Sequence, residues 1–152
     1  MRFGLVILLV FTMSSLVLAG NIAQQKVNYR IESINEISIN EGINSLVMSF
    51  DDSKTEGRAK WAITTNENNK RVVGSLDEDL PPGLKLYVEL QAPEGSLSKN
   101  PVNMSTNPQD LVTHISRVAQ GDLNITYKLV TEPNISKIEL RRVLTIVLMD
   151  GF

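Results

Sequence analysis

Two segments of this sequence alternate apolar and polar residues without interruption, and this alternation restricts the fold more than any other feature. They are LKLYVEL at residues 84–90 and LNITYKL at residues 123–129. A period of two places every second side chain on one face of an extended strand, whereas a helix needs a period near 3.6. Both segments are therefore predicted to be strands with one face in the core.

Shorter alternating or apolar runs recur along the rest of the chain. They lie at residues 27–31, 37–39, 46–50, 61–65, 71–76 and 138–149. Turn-forming residues separate them, as in Pro81-Pro82-Gly83 and Pro93-Glu94-Gly95. Seven or eight short strands at this spacing, with no helix of crossover length between them, predict an all-β fold in the form of a single antiparallel β-sandwich.

Three segments carry finer predictions. Residues 66–69, Asn-Glu-Asn-Asn, are expected to join their flanking strands as a hairpin. The last strand, residues 138–149, is apolar on both faces, which predicts a central position or cover on both sides. Residues 109–120 follow a helix-start pattern but are rich in β-branched side chains. A helix is one interpretation of this segment, but a short strand near residues 111–115 followed by a turn is favoured.

Residues 1–19 have the three parts of a secretory signal peptide. Arg2 gives the positive start, residues 3–11 form the apolar centre, and Val17-Leu18-Ala19 precedes a cleavage point before Gly20. The alternative is a membrane anchor, but a span needs about 20 predominantly apolar residues, and hydroxyl residues interrupt this shorter run. We therefore expect an exported protein in which residues 20–152 form the β-sandwich domain, with no membrane span after cleavage.

Cysteine and charge content exclude several classes of protein. The chain has no cysteine, so disulfides, thiol chemistry and a lipid-modified cysteine are excluded, and the core alone must hold the fold. The formal net charge is −2 and no basic block is present, so no nucleic-acid partner is expected. One histidine and no cysteine make a poor ligand set for a transition metal, and no cofactor or metal is expected.

Candidate chemical groups are few. His114 is the sole histidine, and no Gly-x-Ser-x-Gly motif accompanies it, so no catalytic residue is assigned and an enzyme is not expected. Asp77-Glu78-Asp79 and Asp51-Asp52 could offer oxygen ligands to calcium, but neither has the spacing of a calcium loop, and both are interpreted as solvated turns. Strand parity places Trp61 and Tyr127 in the core and Tyr87 on the surface, which is too little for a sugar-stacking platform.

The segment that follows Gly20 is the remaining functional cue. It is polar and free of turn signals, and it leads directly into an alternating stretch. Such a segment can add as a strand to the sheet edge of a neighbour, where backbone hydrogen bonds supply affinity and alternate side chains supply specificity. A frayed terminal segment is the alternative interpretation. The residues of this candidate strand-addition tail are Ile22, Ala23, Val27, Tyr29 and Ile31.

Several stretches together resemble a group of small exported bacterial β-sandwich proteins that are immunoglobulin-like and pilin-like. They are WAITTN at 61–66, KRV at 70–72, DLPPGLKL at 79–86, APEG at 92–95, DLVTHIS at 110–116 and LNITY at 123–127. These are turn and strand patterns spread over most of residues 20–152. The resemblance implies export from a bacterium and an immunoglobulin-like sandwich, and it transfers no catalytic residue.

The sequence therefore predicts a non-enzymatic structural or adhesive protein of the cell surface, with a filament (pilin-like) subunit assembled by strand addition as its specific form. Its expected partners are copies of itself or another surface protein, and its expected location is the periplasm, the cell surface or the medium. The alternative is a secreted or periplasmic binding module for a glycan or a protein. An exposed aromatic patch or a concave loop end would favour that alternative.

Overall fold

The computed structural model describes residues 25–40, 54–133 and 140–152. The chain divides into two units between Ile31 and Glu32, and all the described strands lie in the second unit. Nine strands and no helix occur in the described residues. The strands are β1 (Asn35–Asn40), β2 (Lys54–Thr65), β3 (Lys70–Leu76), β4 (Leu84–Leu90), β5 (Leu97–Ser98), β6 (Val102–Asn103), β7 (Gln109–Ile115), β8 (Val118–Thr131) and β9 (Leu144–Asp150).

These strands form two sheets in which each neighbouring pair is antiparallel. The first sheet has the order β1-β2-β8-β4-β6, and the second has the order β5-β7-β3-β9. The long strand β8 pairs with β2 along one side and with β4 along the other. The predicted all-β fold with antiparallel pairing is therefore confirmed in the described residues.

One apolar core lies between the two sheets. Trp61 has no exposed surface, and the alternating strands contribute their predicted faces: Val88 and Leu90 from β4, and Leu123 and Ile125 from β8, are buried. The second sheet supplies the facing side chains. They include Val72 and Leu76 of β3, and Leu111, Val112 and Ile115 of β7. The prediction that alternate residues of β4 and β8 face the core is confirmed.

Residues 66–69 do not form the predicted hairpin. They lead from β2 in the first sheet to β3 in the second, so the two strands face each other across the core instead of pairing. Trp61 and Ile63 on β2 and Val72 on β3 all point into that core. Crossing between sheets buries the apolar faces of both strands against each other, which removes apolar surface from water. The prediction was wrong because the same turn residues occur in hairpins within a sheet and in connections between sheets.

The strand interpretation of residues 109–120 is confirmed. β7 ends at Ile115 and β8 begins at Val118, with a tight turn between them. His114 and Arg117 have φ values of 60° and 41°, in the left-handed region that turns use. The Arg117 backbone N–H donates to the Glu67 carbonyl at 2.9 Å, which attaches this turn to the connection between the sheets.

Two strand predictions need correction. β9 begins at Leu144 and lies at one end of its sheet order, so within the described residues it is not central. Its side chains Val147 and Met149 are 45% and 42% exposed, so the described residues do not cover both of its faces. Residues 27–31 form no strand, since they pair with no neighbouring strand among the described residues. The predicted strand at 46–50 and the signal peptide at 1–19 lie outside the described residues and stay predictions.

Truncation of a core side chain should show how far this core supports a fold without disulfides. Ile125 is completely buried on β8, so Ile125→Ala should lower the free energy of unfolding by about 2–5 kcal/mol, because it leaves a cavity. The control is Leu97→Ala, at an apolar side chain that is 59% exposed, where the change should stay within about 0.5 kcal/mol. Urea unfolding of both variants measures this. Equal losses would contradict the assigned core.

Candidate assembly surface

The tail, residues 20–31, is described from Gln25 onward, and its alternate apolar side chains are exposed. Val27, Tyr29 and Ile31 are 71%, 85% and 77% exposed. Ile22 and Ala23 lie outside the described residues. The three described members of the candidate site therefore present apolar surface at the spacing of a strand, while the segment itself has no strand partner among the described residues.

The chain after the tail is fixed to the connection between the sheets. The Ile34 backbone N–H donates to the Asn66 side-chain oxygen at 2.9 Å, and the Asn66 side-chain amide donates to the Glu32 carbonyl at 2.7 Å. The Asn66 backbone N–H donates to the Ile34 carbonyl at 3.2 Å. One asparagine thus satisfies backbone groups on both sides of Ser33, which explains why a polar residue suits this position.

A polar cluster completes this attachment, and we call its members Ser33, Asn35, Glu67, Lys70 and Asp150 the Glu67 cluster. The Glu67 carboxylate accepts hydrogen bonds from Ser33 Oγ at 2.5 Å and from Asn35 Nδ2 at 2.9 Å. It also pairs with the Lys70 ammonium, which in turn contacts Asp150 at 2.5 Å. Lys70, Ser33 and Asn35 together lower the pKa of Glu67 to about 2. Asp150 and Glu67 raise the pKa of Lys70.

The end of β9 is held at the same place. The Gly151 backbone N–H donates to the Asn69 carbonyl at 2.6 Å, and the Asn69 side-chain amide donates to the Phe152 carbonyl at 3.0 Å. A Cβ at Gly151 would lie 2.7 Å from the Asn69 carbonyl oxygen, so only glycine fits there. The Arg71 guanidinium lies 3.9 Å from the Phe152 ring centroid. We call residues 32–35 the root of the tail. The root and the end of β9 are therefore both held by residues 66–70.

β9 presents apolar side chains on its outward face as well as toward the core. Leu144, Ile146 and Leu148 are half-buried against the core. On the other face Val147 and Met149 are 45% and 42% exposed. The sequence correctly indicated two apolar faces, but the outward one is uncovered in the described part of the chain.

The other sequence candidates have structural partners. The His114 side chain is exposed, and its Nδ1 lies 3.1 Å from Thr113 Oγ1. Asp77 Oδ1 accepts the Val143 backbone N–H at 2.9 Å, which lowers the pKa of Asp77. Asp79 Oδ1 accepts the backbone N–H of Thr106 at 2.9 Å. No group of residues able to hold a metal ion occurs within residues 25–40, 54–133 and 140–152. Asp51 and Asp52 lie outside those ranges.

Trp61, Tyr87 and Tyr127, the aromatic residues of the described strands, present no fully exposed ring for sugar stacking. Trp61, the one tryptophan, has no exposed surface, and Tyr127 is also buried, as predicted. Tyr87, predicted to be exposed, is half-buried. A shallow hollow lies over residues 35–38 and 62–64, and no aromatic ring lines it.

Searches against protein-family models, curated proteins and solved structures find no match to this chain. Among the described residues, no helix is long and apolar enough to cross a membrane. The resemblance to exported immunoglobulin-like proteins therefore stays a prediction from sequence.

The Glu67 cluster should make the fold acid-sensitive. Because the pKa of Glu67 is lowered from 4.5 to about 2, the unfolded chain binds a proton in this range that the folded chain does not. The free energy of unfolding should therefore fall as pH drops from 4.5 towards 2. Urea unfolding across this range should show a smaller acid dependence for Glu67→Gln than for the wild type.

The control for this measurement is Glu89→Gln, which removes an exposed carboxylate on β4, outside the cluster. It should keep the acid dependence of the wild type. If Glu67→Gln and the wild type lost stability in parallel between pH 4.5 and 2, the assigned role of the cluster would be wrong.

Proposed function

We propose that this chain is an exported, non-enzymatic structural or adhesive surface protein whose copies are joined by strand addition, as in a filament subunit. The observation that carries the proposal is the exposed alternation of Val27, Tyr29 and Ile31. Single exposed apolar residues are ordinary on protein surfaces. Three at alternate positions of a segment that lacks a strand partner in the described chain would share one face if the segment became a strand, which suits addition to a sheet.

The fixed root of the tail supports this role. The Glu67 cluster and Asn66 hold residues 32–35 in the sandwich, so an added tail would transmit force into both sheets through β1, β3 and β9. A strand donor on a fixed root also loses less conformational freedom on binding than one on a mobile linker. The predicted signal peptide supports the proposed address outside the cytoplasm.

The alternative function is a secreted or periplasmic binding module. The buried Trp61 counts against its glycan form, because flat exposed rings are what sugar stacking requires. A protein-binding form would use the same tail on a different partner. The two forms differ in whether the purified protein associates with itself.

The test uses the mature protein, residues 20–152, in sedimentation velocity and electron microscopy. Wild type is expected to form concentration-dependent oligomers or filaments. The triple variant Val27→Ser, Tyr29→Ser, Ile31→Ser should stay monomeric, because it removes the apolar face of the tail but keeps its length. The control substitutes polar positions of the same segment, Gln25→Ser and Asn28→Ser, and should still assemble.

A wild-type protein that stays monomeric at every concentration, with no polymer on expressing cells, would contradict the proposal. Assembly of the triple variant at the wild-type level would show that the tail is not the donor. Thermal unfolding of each variant checks that the sandwich itself is folded.

A further inference from the structure

The described sheet edges differ in how they are protected against strand addition. β5 and β6 have two residues each. β1 carries Glu36, Ser38 and Asn40 on the face away from its isoleucines. β9 has seven residues, and from Leu144 to Met149 it has no charge, no proline and no glycine. Natural edge strands usually carry such features or are short, since a long apolar edge invites pairing with another chain.

We propose that the outer edge of β9 is the acceptor site, and that it receives residues 26–31 of the tail from a second copy of this chain as an antiparallel strand. This inference rests on the proposed assembly by strand addition and names its partner surface. The added strand would lie beyond β9 and extend the sheet order β5-β7-β3-β9 by one strand.

Exposure and charge fix the register of this pairing. The outward face of β9 exposes Val147 and Met149, and its last residue, Asp150, has a side chain that is 87% exposed. The tail has apolar residues at matching two-residue spacing and a cation, Lys26, just before them. An antiparallel register that places Lys26 beside Asp150 brings apolar residues together on one face. The pairs are Lys26 with Asp150, Val27 with Met149, Tyr29 with Val147, and Ile31 with Thr145.

These pairs are of favourable kinds. Opposite charges, and an aromatic ring beside a β-branched side chain, both stabilise neighbouring strands. The Asp150 carboxylate already contacts Lys70, but its exposed oxygen can accept a second ammonium. A shift by one residue would place Lys26 beside Met149 and would turn the apolar face of the tail away from Val147.

The position of the tail root favours a second copy over the tail of the same copy. Ser33 and Asp150 both belong to the Glu67 cluster, so the tail begins at the end of its own β9. From there the tail could lie along its own β9 only as a parallel strand. The described strand pairs are all antiparallel, and antiparallel pairing is slightly more stable per residue. A tail from another copy has no such restriction.

The resulting contact joins different surfaces of the two copies, the tail of one and β9 of the next. Contacts of this head-to-tail kind repeat into rings or open filaments. Each copy has one donor tail and one acceptor edge. In an open assembly, one terminal copy therefore has an unused tail and the other has an unused edge, and each can bind a further copy.

The absence of cysteine allows a direct test by disulfide cross-linking. Two single-cysteine mature proteins, Tyr29→Cys and Val147→Cys, carry tags of different mass and are mixed under mild oxidation. Directly opposite residues of antiparallel strands have Cα atoms about 4.5–5.5 Å apart, within the range that a disulfide spans. A mixed disulfide between the two proteins is expected, and mass spectrometry of the linked peptides identifies it.

The matched control replaces Val147→Cys with Ile146→Cys, the neighbouring residue on the opposite face of β9. Its mixed disulfide should be largely lost. A product at Ile146 equal to or above that at Val147 would overturn the register. Within a single chain carrying Met48→Cys and Val147→Cys, an intramolecular disulfide would show that residues 46–50 occupy this edge, and that result would also overturn the inference.

A charge substitution separates failure of the acceptor site from failure of the assembly proposal. Val147→Lys should abolish oligomers, because it places an ammonium within the apolar face beside a cationic tail. Leu97→Lys, at an exposed apolar residue on the other edge strand of the same sheet, should leave assembly intact. If wild type and Val147→Lys assemble equally, β9 is not the acceptor but the proposed function stands. If wild type does not assemble, both proposals fail.

Discussion

Trp61, with its neighbours on β2 and β8, packs against β3 and β7 of the facing sheet, and the other contacts in the described protein depend on this packing. No disulfide can substitute for it, because the chain has no cysteine. The core side chains come from strands that alternate in and out, so burial of one face leaves the other face in water. The edge strands of both sheets keep unpaired backbone groups, and the side chains of these strands determine how readily another chain can pair with them.

The connection at residues 66–69 determines how those edges relate to the tail. It carries the chain from one sheet to the other, and its side chains bind residues 32–35 and the chain after β9. The start of the sandwich and its last strand are thereby attached to the same few residues. The residues that directly follow the candidate donor segment and the end of the candidate acceptor strand are therefore held by one connection.

Local pattern was enough to predict the strands and their inward residues, and it was not enough to predict partners. The alternation in β4 and β8 identified buried positions correctly because the period of a strand is a local property. The hairpin at 66–69 was predicted wrongly because asparagine favours turns within a sheet and turns between two sheets alike. The Glu67 cluster could not be predicted from the sequence. Glu67 lies more than 30 residues from Ser33 and Asn35, and Lys70 lies 80 residues from Asp150, so no local signal joins them.

For β9, too, the local pattern was recognised correctly but did not predict which residues lie around the strand. Its two apolar faces were recognised, and the inference that both are covered follows from ordinary globular packing. The structure places β9 at the end of its sheet, and Val147 and Met149 on its outward face are exposed in the described chain. Under the proposed strand addition, the tail of another copy pairs with the edge of β9 and places its own apolar side chains beside Val147 and Met149 on this face. A sequence pattern that conflicts with a single folded chain is then consistent with an assembled one.

Amide hydrogen exchange of the mature protein tests the proposed strand addition most directly. Exchange would be compared between assembled wild type and the monomeric variant in which Val27, Tyr29 and Ile31 are replaced by serine. Pairing of the tail with β9 predicts that assembly slows exchange in two segments together, residues 26–31 and residues 144–150, because new strand hydrogen bonds protect both. Equal exchange of these two segments in the assembled and monomeric states would contradict it.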